Sequence, residues 1–185
     1  MENFTMKNIL NRNRVYLVGQ MQYIKDGSVW RDYVEAELKK MGVIVFNPYN
    51  HPFINSVTED NNATATLKSL IAEGKYDECA EIMRKIRGED LRVVDIADFI
   101  FCYIDPLKPT CGAWEEVFTA NRAKKPIFFV AEGGKDVCPL WLYGTIPHKY
   151  MYNSIDDALQ MLWDINSGAK PIDSSRWRIL RPEFL

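Results

Sequence analysis

Residues 15–48, VYLVGQMQYIKDGSVWRDYVEAELKKMGVIVFNP, decide the fold. Val15 to Val18 is a short apolar run closed by Gly19, the pattern of a buried strand that ends in a tight turn. Beyond Ser28, read as an N-cap, Trp30, Val34, Leu38 and Met41 recur at helical spacing. Lys39 and Lys40 occupy the last turn and Gly42 is the stop signal. Val43 to Phe46 is a second apolar run, closed by Asn47-Pro48. Strand, helix and strand in that order predict a parallel pair joined by a right-handed crossover.

The same alternation continues outward. Phe99 to Ile104, Pro126 to Val130 and Lys149 to Tyr152 read as three further strands, with helices over Ala113–Ala123 and Ile155–Ile165. Between the second and third strands the chain is less regular. After polar loop material and the run Glu59-Asp60-Asn61-Asn62, helical segments are expected over Ala63–Ala72 and Lys75–Ile86, as part of an insertion at 51–88 that covers the sheet edge or a site. The stretch 168–185 reads as an irregular tail. No internal repeat or low-complexity tract interrupts the pattern. The expectation is a single α/β domain over 1–185: a flavodoxin-like, doubly wound, parallel five-stranded sheet with helices on both faces.

Composition narrows the function classes. The 185 residues are 47% hydrophobic and 26% charged, with 23 Lys+Arg against 25 Asp+Glu. A chain of that size buries a sizeable core, and its balanced charge argues against general nucleic-acid binding, which draws on a basic excess. Apolar runs fall far short of the roughly 20 residues that cross a bilayer, and the first residues lack a signal-peptide core, so no membrane partner and a cytoplasmic location are expected. The four cysteines form no CxxC pair, which suits a reduced compartment. With only His51 and His148, neither a zinc site nor a Ser-His-Asp triad is expected. The glycines after the first strand do not make G-x-G-x-x-G, and no Walker A lysine motif occurs, so no metal or cofactor is expected. Carboxylates and amides are left to carry the chemistry.

In doubly wound sheets ligands bind beyond the carboxyl ends of the strands. There the sequence places Gly19-Gln20-Met21-Gln22-Tyr23, Asn47-Pro48-Tyr49, Asp105-Pro106 and Ala131-Glu132-Gly133-Gly134. Asp105 to Val117 runs from a strand end through a Pro- and Gly-containing loop into a helix with Glu115 and Glu116 in its opening turn. Acids there favour the helix dipole and need mean nothing more. Helical spacing separates the two, because Glu116 falls on the inward stripe of Ala113, Val117 and Ala120 while Glu115 lies opposite. A carboxylate directed inward costs energy unless it has partners or a cleft. Glu116 is therefore the functional candidate and Glu115 the structural one. Asp90 reads either as the N-cap of a short helix or as a second acid facing the cleft, and Asp98 as the residue that ends the turn into the third strand. Gln20, Gln22 and Asn47 can read a base or sugar edge, or serve their own loops. Trp30, Tyr23, Trp114 and Trp141 can stack on a base, or pack in the core.

These residues resemble the nucleoside 2-deoxyribosyltransferase-like family. The resemblance lies in VYLVGQM, in Asn47-Pro48, in Asp90-Leu91 followed by Val94 and Asp98, and in Gly112-x-x-x-Glu116-Val117-x-x-Ala120 with Lys125-Pro126 beyond. The spacing from Asp90 through Asp98 to Glu116 is ungapped against the family pattern, and the match covers most of 14–165. The run Ala120 to Ile127 is similar to phage-encoded members.

The resemblance implies a flavodoxin-like fold and cleavage of an N-glycosidic bond. Glu116 matches the family nucleophile, which attacks the anomeric carbon and holds the sugar as an ester. Asp90 matches the aspartate that positions or protonates the base. With the strand-end positions, it implies substrate contacts from Gly19, Gln20, Tyr23, Asn47, Asp105, Thr110, Gly112 and Trp141. It also implies a small-molecule nucleoside or nucleotide and a free base as partners, and a homo-oligomer in which the segment Pro139 to Gly144 lies where a neighbouring subunit completes the site. The chain departs from the family in having Gly-Gln where Gly-Pro is frequent, Trp114-Glu115 where a small residue is usual, and Thr110 in place of a loop acid, for which Asp105 can substitute.

Three functions stay open at this level. Transfer of 2-deoxyribose between bases leads. Hydrolysis of a nucleoside 5′-monophosphate would need a phosphate pocket, for which Lys108, Arg92 and Arg31 are candidates if they are not ordinary surface charge. A non-catalytic nucleotide-binding module on the same fold is the third.

Overall fold

The computed structural model describes residues 8–21, 26–50 and 61–171. In chain order its elements are β1 (Arg14–Gly19), α1 (Ser28–Lys40), β2 (Ile44–Phe46), α2 (Asn61–Ala72), α3 (Tyr76–Ile96), β3 (Phe99–Ile104), α4 (Cys111–Arg122), β4 (Ile127–Ala131), α5 (Leu140–Tyr143), β5 (Met151–Tyr152) and α6 (Ile155–Ser167). The five strands form one parallel sheet in the order β2-β1-β3-β4-β5, the flavodoxin-like arrangement. No helix among the described residues is long and apolar enough to cross a membrane.

Strand alternation divides the core in two. Val15 and Leu17 of β1, Phe99 and Phe101 of β3, and Phe128 and Val130 of β4 point to one face, where Val34 and Leu38 of α1 and Leu159 and Leu162 of α6 cover them. Tyr16 and Val18, Ile100, Cys102 and Ile104, and Phe129 and Ala131 point to the other, under Val93 and Val94 of α3 and Ala113, Val117 and Ala120 of α4. A sheet buried on both faces explains why its strands read as continuous apolar runs. Gly42 ends α1 as its position suggests. It has φ +73°, and a Cβ there would come within 2.3 Å of Asn11 Oδ1.

Several boundaries differ from the sequence expectation. Ser28 opens α1 as its first residue rather than its cap. Its N–H and hydroxyl both donate to Asp26 Oδ1, at 2.9 and 2.8 Å, so Asp26 holds that turn. The helix expected to stop at Ile86 runs through Gly88 to Ile96, because Ile86, Val93 and Val94 continue one buried stripe. Asp90 is consequently mid-helix and caps nothing. Asp98 ends the bend into β3 as expected, and its carboxylate also accepts from the backbone N–H and the guanidinium of Arg14, clasping that bend to the start of β1. α4 begins at Cys111, two residues early, with Thr110 extended before it. Only the first residues of the stretch 168–185 are described, and 51–60 of the expected insertion lie outside the described residues.

Candidate active site

The strand order reverses direction of growth between β1 and β3, the place where doubly wound folds open a crevice. A cavity of about 460 Å³ lies there, large enough for a small organic ligand. Its lining mixes apolar side chains, Leu17, Met21, Pro48, Met83, Ile86, Leu91, Pro109 and Ala113, with the polar Tyr16, Arg31, Arg87, Glu89, Asp90, Thr110, Glu115 and Glu116, and includes Gly19 and Gly112.

Tyr16 joins the acids. Its position in β1 aims the ring at the α3 and α4 side, where its hydroxyl lies 3.1 Å from Glu116 Oε1 and 3.3 Å from Asp90 Oδ1. A phenol has one proton, so it donates to one carboxylate at a time, and its oxygen accepts from the other when that one is protonated. Burial, then the charges of Glu116 and Asp90, push the Tyr16 hydroxyl well above its ordinary range, so it stays a donor. The buried Cys102 thiol is held in its neutral form by the same causes, burial first and Glu116 second.

The two glutamates of α4 separate as helical spacing predicts. Glu116 is 7% exposed, on the buried stripe with Ala113, Val117 and Ala120. Glu115 turns to the rim and forms a two-pronged pair with Arg87 of α3, its Oε2 accepting from Arg87 Nε at 2.8 Å and its Oε1 from Nη2. Because α4 starts at Cys111, both glutamates lie beyond the first turn, where the helix dipole has largely faded. Glu116 instead meets the Tyr16 hydroxyl.

Among the other sequence candidates, Gly19, Thr110 and Gly112 line the cavity with Glu116 and Asp90. Gln20, Asn47, Asp105 and Trp141 do not. Gln20 is buried, its Nε2 donating to the Asp105 carbonyl at 2.7 Å and its Oε1 accepting from the Asp105 N–H at 2.9 Å. Asn47 donates to Glu35 Oε2 at 2.6 Å and accepts from the Tyr49 N–H at 3.0 Å. The Asp105 carboxylate accepts from the Leu107 N–H and pairs with Lys108, each at 3.0 Å. Buried amides must find partners, and here Gln20 takes the backbone of Asp105 while Asn47 takes the Glu35 carboxylate and the Tyr49 N–H. Trp141 is 79% exposed on α5. Trp30 packs on Phe101 and Tyr103, and Trp114 stacks between Phe118 and Phe129, so neither ring faces the cavity. Tyr23 lies outside the described residues.

A solved structure is similar over most of the chain. It is that of the CMP N-glycosidase BcmB of Clostridium botulinum, at 16% identity and a TM-score of 0.45, covering 81% of this chain and 98% of that one. No family model and no curated protein matches the sequence.

Two lining residues differ from what the sequence suggests. Tyr16 was masked by its setting, since an aromatic in a buried strand reads as core. Its hydroxyl was the signal, because a buried phenol needs a partner. Arg31, offered by the sequence as a phosphate contact or as ordinary surface charge, is fully buried. Its spacing to Val34 and Leu38 puts it on the inward stripe of α1, which was legible. Among the described residues no group of three or more His, Cys, Asp or Glu side chains is arranged to hold a metal ion.

Proposed function

We propose that this chain breaks and remakes the N-glycosidic bond of a nucleoside, transferring 2-deoxyribose from one base to another through a covalent ester on Glu116. The observation that carries the reading is the meeting of Glu116, Asp90 and the Tyr16 hydroxyl in a cavity that apolar side chains also line. A buried carboxylate with an oriented hydroxyl donor is built to attack an electrophilic carbon, and apolar lining suits the faces of a base.

In the first step a Glu116 oxygen bonds to the anomeric carbon as the C–N bond breaks, and the bond pair leaves on the base nitrogen. Asp90, when protonated, delivers the proton that neutralises the departing base. In the second step a nitrogen of the incoming base attacks the same carbon, the ester bond breaks, and Glu116 is released as a carboxylate. The proton that the incoming base nitrogen sheds goes to Asp90, which is thereby restored to its starting form. Two displacements at one carbon give net retention, as in retaining glycosidases. Tyr16 keeps Glu116 oriented and shields its charge while the ester forms.

A hydrolytic variant, with water in the second step and a nucleoside 5′-monophosphate as substrate, draws support from the start of α4. Thr110, Cys111 and Gly112 line the cavity, and beyond the adjoining residues and backbone of its own helix nothing lies within 4 Å of where a Gly112 Cβ would be. A helix N-terminus of that kind favours an anion. Incubation with deoxynucleosides and their 5′-monophosphates, with and without an isotopically labelled free base, tests both. Label exchange into nucleoside is the expected result. Base release without exchange assigns the hydrolase, and saturable binding without turnover overturns both in favour of a binding module.

A further inference from the structure

We propose that Arg31 is the positioning residue of this site: it ties the end of β1 to the start of α1 and fixes one positive charge beside the Tyr16, Asp90 and Glu116 group. Only its kinetic readout rests on the glycosidic reading above.

The geometry of the tie is specific. Arg31 is fully buried. Its Nη2 donates to the carbonyl of Gly19, the last residue of β1, at 2.9 Å, and its Nη1 to the carbonyl of Gly27, just before α1, at 2.7 Å. The guanidinium carbon lies 4.5 Å from the centre of the Trp30 ring and 5.2 Å from that of Tyr49, so ring faces hold the plane. The strand end is shaped around it. A Cβ on Gly19 would come 3.2 Å from Arg31 Nη2, 2.8 Å from the Trp30 ring and 2.6 Å from the Tyr103 carbonyl.

A guanidinium does not shed its proton, so burying it buries a charge. Two carbonyls offset part of that cost, and the opposite charge on the carboxylates lining the same cavity offsets more. The coupling is felt at the shared hydroxyl, where Arg31 opposes the upward push of Glu116 and Asp90 on Tyr16. The groups facing this region come from four elements. β1 gives Tyr16, β3 gives Cys102, α3 gives Arg87, Glu89 and Asp90, and α4 gives Glu115 and Glu116. Tyr16 and Cys102 are kept neutral by burial, and Arg87 pairs with Glu115. Glu89, Asp90 and Glu116 are the other acids that line this cavity together with Arg31. A purely structural staple would hold the backbone without acting on their titration.

The test is a pH titration of the full-length chain carrying ¹³C-labelled Asp and Glu carboxyls, with Asp90→Asn and Glu116→Gln assigning the resonances. Arg31→Met removes tie and charge, Arg31→Gln keeps an amide donor without charge, and Arg31→Lys keeps charge without the fork. The expected result is that the Asp90 and Glu116 resonances titrate about one pH unit higher in the Met and Gln variants, the low end of what an opposite charge does, while Lys stays with the wild type. The acid limb of kcat/KM should move in parallel, with Lys restoring the limb but raising KM. Wild-type midpoints in a folded Met or Gln variant overturn the proposal, as does a Lys variant shifted as far as Gln. If Met fails to fold, the Gln and Lys comparison decides alone. Absence of turnover in the wild type counts against the glycosidic reading and leaves the titration result standing.

Discussion

The two faces of the sheet are made by the same strands and differ in what they do with polarity. On the α1 and α6 face, the buried polar side chains Arg31 and Asn166 turn to the backbone, Arg31 to the carbonyls of Gly19 and Gly27 and Asn166 to the N–H of Leu10. On the α3 and α4 face, Tyr16, Asp90 and Glu116 turn to one another and to a cavity. One step along β1 separates the two regimes, with Leu17 in an apolar core and Tyr16 among acids. Both faces carry a buried apolar core, and the contrast lies in Tyr16, Asp90 and Glu116, which face a cavity that Arg31 also lines from α1.

Four substitutions break or sharpen that division. Glu116→Ala should lower turnover by roughly 10³-fold or more, as loss of a nucleophile does, with the thermal midpoint held or raised because a buried carboxylate is gone. Single-turnover kinetics and a melting curve check both. Leu38→Ala, on the other face, should cost about 2–5 kcal/mol in urea denaturation while kcat in the folded protein stays within about twofold. Tyr16→Phe should reduce kcat/KM by roughly 10-fold, the worth of one hydrogen bond to a charged group, with little change in the urea midpoint. Glu115→Ala should leave turnover within about twofold, since it removes an exposed ion pair with Arg87. Equal losses in the Glu115 and Glu116 variants would sink the assignment of the nucleophile, and a collapse of kcat in Leu38→Ala would erase the distinction between the faces.

The layers of the fold were legible because periodicity decides them. β3 falls where its apolar run puts it, and α1 has the stripe and stop that its spacing predicts. The limits of α3 were not, since the glycine at 88 reads as a break while tertiary packing of Val93 and Val94 carries the helix through it. In the site, helical geometry sorted Glu116 from Glu115 correctly in direction. The amides of Gln20 and Asn47 illustrate what sequence leaves undecided: an amide that can read a base can equally satisfy its own backbone, and only the distance to Asp105 or Glu35 tells which. Tyr16 went unnoticed because it looked too apolar for chemistry, and the burial of Arg31 because it looked too polar for the interior.

The central strand pair is clasped at both ends, by Asp98 on Arg14 below and by the Gln20 amide on Asp105 above. A slide of β1 by one residue against β3 would exchange the sides on which its residues fall, sending Tyr16 into the apolar layer and Leu17 among the carboxylates. The clasps thus act as alignment pins. They guard against a misassembled sheet that keeps much of its pairing while Tyr16 no longer meets Asp90 and Glu116, an error that a stability measurement alone would be slow to reveal.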